Sequence, residues 1–185
     1  MSGSPGLQLE PTAPAAAGSL FAHPAAAAIA VALIKRFEDL CLTPLPDTGT
    51  RWQIGYGCNF LPGGALVTAH TPPITLDQAE AMLEARLAEF ARETDTILGD
   101  APILDRQRGS CYSFGWNEGV GNLRGSSLLR YARAGLMDKA AAEFASWVYA
   151  GGKRLRGLEI RRAVEAAVFS GTITPEQIPT WTPPA

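Results

Sequence analysis

The sequence lacks a long apolar run, a basic amino-terminal region and a cluster of metal-ligating side chains. Its most apolar stretch, 25–34, is mostly alanine and falls short of the roughly 18 residues that a membrane-spanning helix needs. No basic segment precedes an apolar one, so the sequence indicates no Sec signal. His70 has no second histidine or cysteine at metal-ligand spacing. We therefore expect a surface histidine, no metal, no cofactor and no stable membrane insertion.

Cysteine is also scarce. The chain has three cysteines, Cys41, Cys58 and Cys111, and an odd number cannot all pair within one chain. We therefore expect reduced structural thiols, with an interchain or regulatory disulfide as the alternative.

The formal net charge is −2, and most of the basic residues lie after residue 100. That basic half is either ordinary surface or a face for an anionic polymer, cell wall or nucleic acid.

Length and composition predict one folded domain with a tail at each end. A chain of 185 residues that is 46% hydrophobic can bury a core but is short for two domains. Residues 1–24 are rich in Ala, Pro, Gly and Ser and predict a flexible tail, although Leu20 and Phe21 could pack on the domain. Residues 172–185 form a Pro-rich tail, in which Trp181 is either packed or an exposed ligand contact.

Two carboxylates in unlike surroundings lie early in the domain. A helical pattern from Pro24 to about Cys41 delivers Glu38 near a helix carboxyl end, where the macrodipole makes ionisation costly unless a cation compensates. Asp47 opens the turn D-T-G-T, where its side chain can bond the backbone and stay ionised near water. Such a pair suits the general acid and the charged partner of a glycosidase. The plainer alternative is a solvated glutamate and an Asx-turn.

Further elements follow the usual signals. RWQIGYG predicts a strand, as does ALVT between the Pro and Gly residues of the next loop. A capping box from Thr75 to Gln78 begins an amphipathic helix that Gly99 ends, roughly 35 Å long at 1.5 Å per residue. Pro102 predicts the first turn of another helix, and Ser126 or Ser127 caps a later one.

The motifs resemble the phage-type lysozymes of glycoside hydrolase family 24. IKRFED matches the IKxFEG of that family, eight residues separate Glu38 from Asp47, and five separate Asp47 from Gln53 within RWQIGYG. SFGWNEGVGNLRGSSLLRYARAG and FASWVYAGGKRLRGLEIRRAVEAAVFSG resemble two further family segments, so the likeness covers 25–171. Gln53 stands where the family has Thr, and Cys58 where it often has His.

This resemblance implies an α+β, two-lobed lysozyme-like fold. A small β-hairpin-containing lobe would be joined by the long helix to a mainly helical lobe, and 25–171 would be the catalytic domain. Glu38 would be the acid, Asp47 its charged partner, and Gln53 would hold water in place of Thr or occupy the site of that water. Asn117 would serve substrate binding or structure, or else end its helix. A family arginine pairs with the catalytic glutamate, and of Arg161 and Arg162 we expect Arg161 to do so.

The implied function is that of an endolysin, a peptidoglycan hydrolase that cleaves the β-1,4 bond between N-acetylmuramic acid and N-acetylglucosamine and lyses the host bacterium. We expect a monomer that waits in the host cytoplasm for holin-type release, acts on the periplasmic cell wall, and binds no nucleic acid. A transglycosylase and a catalytically weak peptidoglycan-binding protein are the alternatives.

Overall fold

The computed structural model describes residues 20–47 and 51–184 and has the predicted α+β architecture. Two small antiparallel hairpins accompany the helices of the described chain. In chain order the elements are α1 (Pro24–Phe37), β1 (Cys41–Pro46), β2 (Trp52–Gly55), α2 (Leu76–Leu98), α3 (Asp105–Glu118), α4 (Val120–Gly125), α5 (Ser127–Arg133), α6 (Met137–Glu143), β3 (Tyr149–Ala150), β4 (Lys153–Arg154) and α7 (Arg156–Ser170), with short 3₁₀ turns at Phe144–Ser146 and Pro175–Gln177.

Helix α1 begins at Pro24, as expected, but ends at Phe37 rather than near Cys41. Glu38 already has extended backbone angles, φ −101° and ψ 128°, so the catalytic candidate lies just outside the helix. The helix buries an Ala- and Ile-rich face against α3. A Cβ atom at Gly109 of α3 would lie 2.7 Å from the carbonyl oxygen of Ala26, so only glycine permits this close approach.

The hairpin of β1 and β2 forms the smaller lobe. Leu45 pairs with Gln53, and Pro46 pairs with Trp52. Residues 48–50 of the predicted D-T-G-T turn lie outside the described residues, as do residues 1–19 of the tail predicted at 1–24. The strand predicted at ALVT is wrong: this segment contributes only an isolated bridge between Phe60 and Leu66. Two consecutive glycines with positive φ, Gly63 and Gly64, turn the backbone just before this segment and bring Leu66 opposite Phe60.

Helix α2 joins the two lobes. Its predicted capping box is confirmed, because the side chain of Thr75 accepts from Gln78 N at 3.2 Å and the side chain of Gln78 accepts from Thr75 N at 2.8 Å. Near its start Met82 packs with hairpin residues, and near its end Leu98 joins the core of the helical lobe. Gly99 ends the helix at φ 54°, as predicted, after 23 residues.

The helical lobe encloses the largest core cluster, which includes Phe114, Phe144 and Phe169. Helix α3 begins at Asp105, three residues later than Pro102 suggested, since the Gln107 side chain accepts from Leu104 N at 2.8 Å and fixes the first turn there. Ser126 is the cap of α5, and its hydroxyl accepts from Leu129 N at 3.1 Å.

The packed part of the chain continues past residue 171, where the sequence placed the end of the domain. Ile173 and Ile178 are buried in a cluster with residues of α1 and α7, and Trp181 packs against the same cluster. The guanidinium of Arg36 donates to the backbone carbonyls of Ile178 and Trp181. Residues 173–181 therefore lie along α1, the helix that directly precedes Glu38.

The remaining composition-based expectations concern cysteine, histidine and the membrane. Cys41, Cys58 and Cys111 are buried as free thiols, and His70 is exposed. Across 20–47 and 51–184, none of the helices combines the length and the apolar character needed to cross a bilayer. In the same residues no three His, Cys, Asp or Glu side chains are grouped so as to hold a metal ion.

Candidate active site

Glu38 is held from the helical lobe by an arginine. Arg161 Nη1 donates to Glu38 Oε1 at 2.7 Å, and the arginine side chain is 4% exposed while that of Glu38 is 24% exposed. The guanidinium also lies 5.5 Å from the ring centroid of Phe37. The cation that the sequence required near this helix end is thus Arg161. The adjacent Arg162 turns into the lobe and does not take this position.

The second oxygen of the Glu38 carboxyl faces the hairpin. Glu38 Oε2 and Gln53 Oε1 lie 3.6 and 3.8 Å, respectively, from the point that a Cβ atom would occupy at Gly57. Gly57 has φ +80°, a conformation that disfavours any other residue. The glycine leaves the space between the carboxyl and the amide open. The structure therefore brings Glu38 and Gln53 together around one small backbone position.

Asp47 lies directly after β1 and is half-buried. Its backbone N donates to the carbonyl oxygen of Arg51 at 2.8 Å, which continues the ladder beyond the pair of Leu45 and Gln53. Because side chains alternate along a strand, Asp47 lies on the hairpin face that also carries Gln53. The register places the second predicted carboxylate on the face of the hairpin that bears the predicted water-binding residue.

Asn117 occupies a different place from the Glu38 carboxyl. Its Oδ1 accepts from Arg162 Nη2, and Arg162 also donates to Glu118 Oε1 at 2.6 Å. The cap of α3 is Gly119, with φ 88°, so the reading of Asn117 as the helix cap is wrong. The described contact of Asn117, the hydrogen bond from Arg162, joins the carboxyl end of α3 to α7.

Sequence reasoning missed Glu165 and Ser113, which hold Arg161 from behind. Arg161 Nε donates to Glu165 Oε1 at 3.2 Å, and Ser113 Oγ donates to the same oxygen at 2.7 Å. Glu165 follows Arg161 by four residues and Arg162 by three, the spacings at which helical side chains meet, so charge spacing on α7 could have identified it. Nothing in the sequence singles out Ser113.

Cys58, which stands where the family often has histidine, is an inert thiol. Cys58 is 1% exposed, and burial raises its pKa to about 11. A thiol is nucleophilic only as the thiolate, which is scarce near neutral pH at this pKa. The chemistry of the site therefore rests on its carboxyl and amide groups.

A hairpin lobe, a bridging helix and a carboxyl held by an arginine from the helical lobe are the features of a lysozyme-like fold. The family model described as phage lysozyme matches residues 35–165. An endolysin of Bacillus phage PZA is 39% identical over 76% of this chain and 53% of its own length. A SAR-endolysin of Enterobacteria phage PA-2 is 33% identical over 71% of this chain and 76% of its own length.

Solved structures agree with these relatives. The endolysin from Escherichia coli O157:H7 phage FAHEc1 has a TM-score of 0.71 and 26% identity over 78% of this chain and 92% of its own. The muramidase domain of SpmX from Asticaccaulis excentricus has a TM-score of 0.62 and 30% identity over 76% and 93%. This chain belongs to the phage lysozyme family. It spans about half the length of its Bacillus phage relative and three quarters of the Enterobacteria phage one.

Proposed function

We propose that this protein is a muramidase of the endolysin type. It would hydrolyse the β-1,4 bond between N-acetylmuramic acid and N-acetylglucosamine in peptidoglycan and so lyse the bacterial host. The observation that carries the proposal is the asymmetric Glu38 carboxyl, whose Oε1 is paired with Arg161 while Oε2 faces Gly57 and Gln53. One oxygen is anchored, and the other is directed at the hairpin, where Gly57 has no side chain that would keep a substrate away from the backbone.

Glu38 is the general acid of the proposed mechanism. Its Oε2 carries the proton and gives it to the glycosidic oxygen as the bond from that oxygen to the sugar carbon breaks. The carboxylate left behind is stabilised by the Arg161 guanidinium already bound to Oε1. Asp47 stabilises the positive charge that develops on the sugar ring and helps to activate the attacking water. Water then supplies the new hydroxyl at that carbon.

Gln53 is the residue proposed to position this water. Its amide offers both a donor and an acceptor, and its Oε1 lies beside the same Gly57 position as the acid. A glutamine is longer than the threonine expected here, and its side chain can instead occupy the volume of the water. That observation favours a second candidate function, a transglycosylase in which a sugar hydroxyl rather than water attacks.

A different class of function remains as a third candidate: a catalytically weak peptidoglycan-binding protein using the same cleft. Loss of turbidity in bacteria stripped of their outer membrane separates an enzyme from such a binder. Mass spectrometry of the released sugars then separates hydrolysis, which gives reducing ends, from transglycosylation, which gives anhydro or transferred sugars. Intact turbidity and unchanged wall would leave only binding.

The setting of the reaction is also proposed. The protein acts as a monomer on the cell wall, uses no cofactor or metal and binds no nucleic acid. It remains in the host cytoplasm until holin-type release gives it access to the periplasmic wall. Sedimentation of the purified protein tests the monomer, and fractionation of infected cells before and after lysis tests the location. Muropeptide analysis of wall digested by the wild type beside Glu38→Gln tests the reaction itself.

A further inference from the structure

Glu165 is a carboxylate with both oxygens occupied in the interior of the helical lobe. It is 0% exposed. Its Oε1 accepts from Ser113 Oγ at 2.7 Å and from Arg161 Nε at 3.2 Å, and its Oε2 accepts from Arg162 Nη1. Two arginines and one serine thus converge on a single buried side chain of α7.

Such a buried cluster is a poor source of stability. The cost of removing charges from water often exceeds their mutual attraction, and apolar residues of similar volume commonly stabilise a fold as well or better. What the cluster does supply is a fixed arrangement, because removing one member leaves the others charged and unsatisfied. The geometry it fixes is that of Arg161 and Arg162.

Every nitrogen of the Arg161 guanidinium has an assigned partner. Nε donates to Glu165 Oε1, Nη2 donates to the Ser113 backbone carbonyl at 3.4 Å, and Nη1 donates to Glu38 Oε1. The guanidinium is planar and its donors have a rigid relation to one another, so fixing the Nε edge sets the direction of Nη1. Glu165 therefore sets the orientation of the Glu38 carboxyl through two successive contacts, its own with Arg161 and that of Arg161 with Glu38.

We propose that Glu165 is a positioning residue, which fixes the Arg161 guanidinium and through it the orientation and charge balance of Glu38. The importance of this role for catalysis rests on the function proposed above, whereas the role itself can be measured on the resting protein. Glu165 is fully buried and therefore lies away from the cleft, and it orients Glu38 through Arg161.

The titratable groups around this chain of contacts are few. Glu38 interacts with Arg161 from α7 and with Cys58 from the segment after β2, and Asp47 lies on the hairpin face that carries Gln53. Glu165 interacts with Cys111 of α3 besides its two arginines. Burial raises the pKa of Cys58 to about 11 and that of Cys111 to about 12, so both thiols stay neutral while carboxyl groups titrate.

The test is a carbon-13 NMR titration of the Glu38 side-chain carboxyl in the wild type and in Glu165→Gln. Two effects of this substitution have opposite signs. Removing a nearby negative charge by itself would lower the midpoint for Glu38, since its carboxylate would feel less repulsion. Losing the orientation of Arg161 would raise it, since the carboxylate would lose its cation. We expect a rise of about one pH unit, together with a loss in kcat of about ten-fold.

Asp95→Asn is the matched control. Like Glu165, Asp95 pairs with an arginine, in this case Arg108 of α3, and it accepts a hydrogen bond from Tyr112 Oη at 2.7 Å. It has no described contact with Glu165, Arg161, Arg162 or Ser113. The same carboxylate-to-amide change there should lower stability and leave the Glu38 midpoint in place. Ser113→Ala removes one hydrogen bond to Glu165 Oε1 and should raise the midpoint by a smaller amount, so it decides the question if Glu165→Gln does not fold.

An unchanged or lowered Glu38 midpoint in Glu165→Gln, or in Ser113→Ala alone where the first variant is unfolded, would overturn the proposal. An equal rise in Asp95→Asn would do so as well, because the effect would then be general loosening. The titration needs no substrate. A wild-type protein that releases no wall fragments would therefore contradict the proposed function while leaving this result to be decided separately.

Discussion

Arg161 and Glu38 lie 123 positions apart in the chain, yet their side chains meet at 2.7 Å. The arginine is almost completely buried, whereas the carboxyl is partly exposed at the end of α1. The ion pair therefore reaches from the interior of the helical lobe to the base of the hairpin lobe. It leaves one carboxyl oxygen directed at the hairpin, and the predictions for the site depend on that oxygen.

Glu38→Gln should abolish lysis and leave the fold intact. The amide keeps the shape of the side chain but cannot give a proton to the leaving oxygen. Turbidity loss of stripped cells measures the activity, and circular dichroism with thermal unfolding checks the fold. Glu80→Gln, which changes a partly exposed carboxyl paired with Lys35, is the control and should lyse normally. Strong lysis by a folded Glu38→Gln protein would remove Glu38 from the role of the acid.

Asp47→Asn should reduce turnover more than wall binding. A charge that matters chiefly in the transition state changes kcat with little effect on ground-state affinity. Initial rates on purified peptidoglycan and a pull-down with insoluble wall give the two quantities. Equal rates for the variant and the wild type would leave Asp47 as a turn residue only.

Substitutions of Gln53 separate three roles. If Gln53 positions water, Gln53→Thr should keep or raise hydrolysis, and Gln53→Ala should lose activity by on the order of 10²-fold. If it blocks the water, Gln53→Ala should gain hydrolysis, and the wild type should release anhydro or transferred sugars. Reducing-end release and product masses decide between these roles. Flat rates across all three proteins would contradict both and make Gln53 a packing residue of the hairpin.

Gly109→Ala should destabilise the fold by about 1–3 kcal/mol, because its Cβ would overlap the Ala26 carbonyl oxygen at 2.7 Å and Ile29 Cβ at 2.9 Å. Gly157→Ala is the matched control, since a Cβ there meets nothing within 4 Å. That helical alanine should be neutral or add up to about 1 kcal/mol. Urea unfolding of both variants measures the difference, and equal stabilities would show that α1 and α3 can separate without cost.

Stability should fall as the pH rises above about 9. Burial raises the pKa of Cys58 to about 11 and that of Cys111 to about 12, above the ordinary 9.0 that the unfolded chain would show. The unfolded state therefore releases these protons first, so stability is complete below the unfolded pKa and is lost as the pH rises towards the folded one. Each thiol contributes up to about 1.4 kcal/mol per pH unit in that window.

Urea unfolding at about pH 7, 9 and 10 under reducing conditions tests this dependence. Cys58→Ala should lower stability at neutral pH, through loss of packing, but should make the fall between pH 9 and 10 less steep, because of these two thiols only Cys111 then contributes to it. A free energy of unfolding that stays level up to pH 10 in the wild type would contradict the expectation.

The structural features that depend only on neighbouring residues were predictable from the sequence. The capping box at Thr75, the stop at Gly99 and the cap at Ser126 each depend on side chains within a few residues of the backbone groups that they satisfy. Adjacent helical residues face different directions, which predicted that only one of Arg161 and Arg162 would reach Glu38. The arginine in contact with Glu38 is Arg161, the one we expected. The α+β class was implied by the resemblance to the family motifs, and the structure confirms it.

The structural features that depend on residues far apart in the chain could not be predicted from the sequence. Segment ALVT has strand-like residues but finds only one bridging partner, and α3 begins where Gln107 caps it rather than at the nearest proline. Residues 173–181 look like a polar tail until Ile178 is placed in the α1 and α7 cluster. Ser113 and Glu165 orient Arg161 only because α3 and α7 lie side by side, and no local sequence pattern specifies that packing.

The hydrogen bonds from Arg36 to the backbone carbonyls of Ile178 and Trp181 can form only late in synthesis of the chain. On the ribosome, α1 and Glu38 emerge first, whereas Arg161 and the segment that braces α1 emerge more than a hundred residues later. A nascent chain halted before Arg161 carries the acid without its cation. The site is completed only when nearly all of the described chain has been made, so prematurely terminated products should be unable to attack the wall.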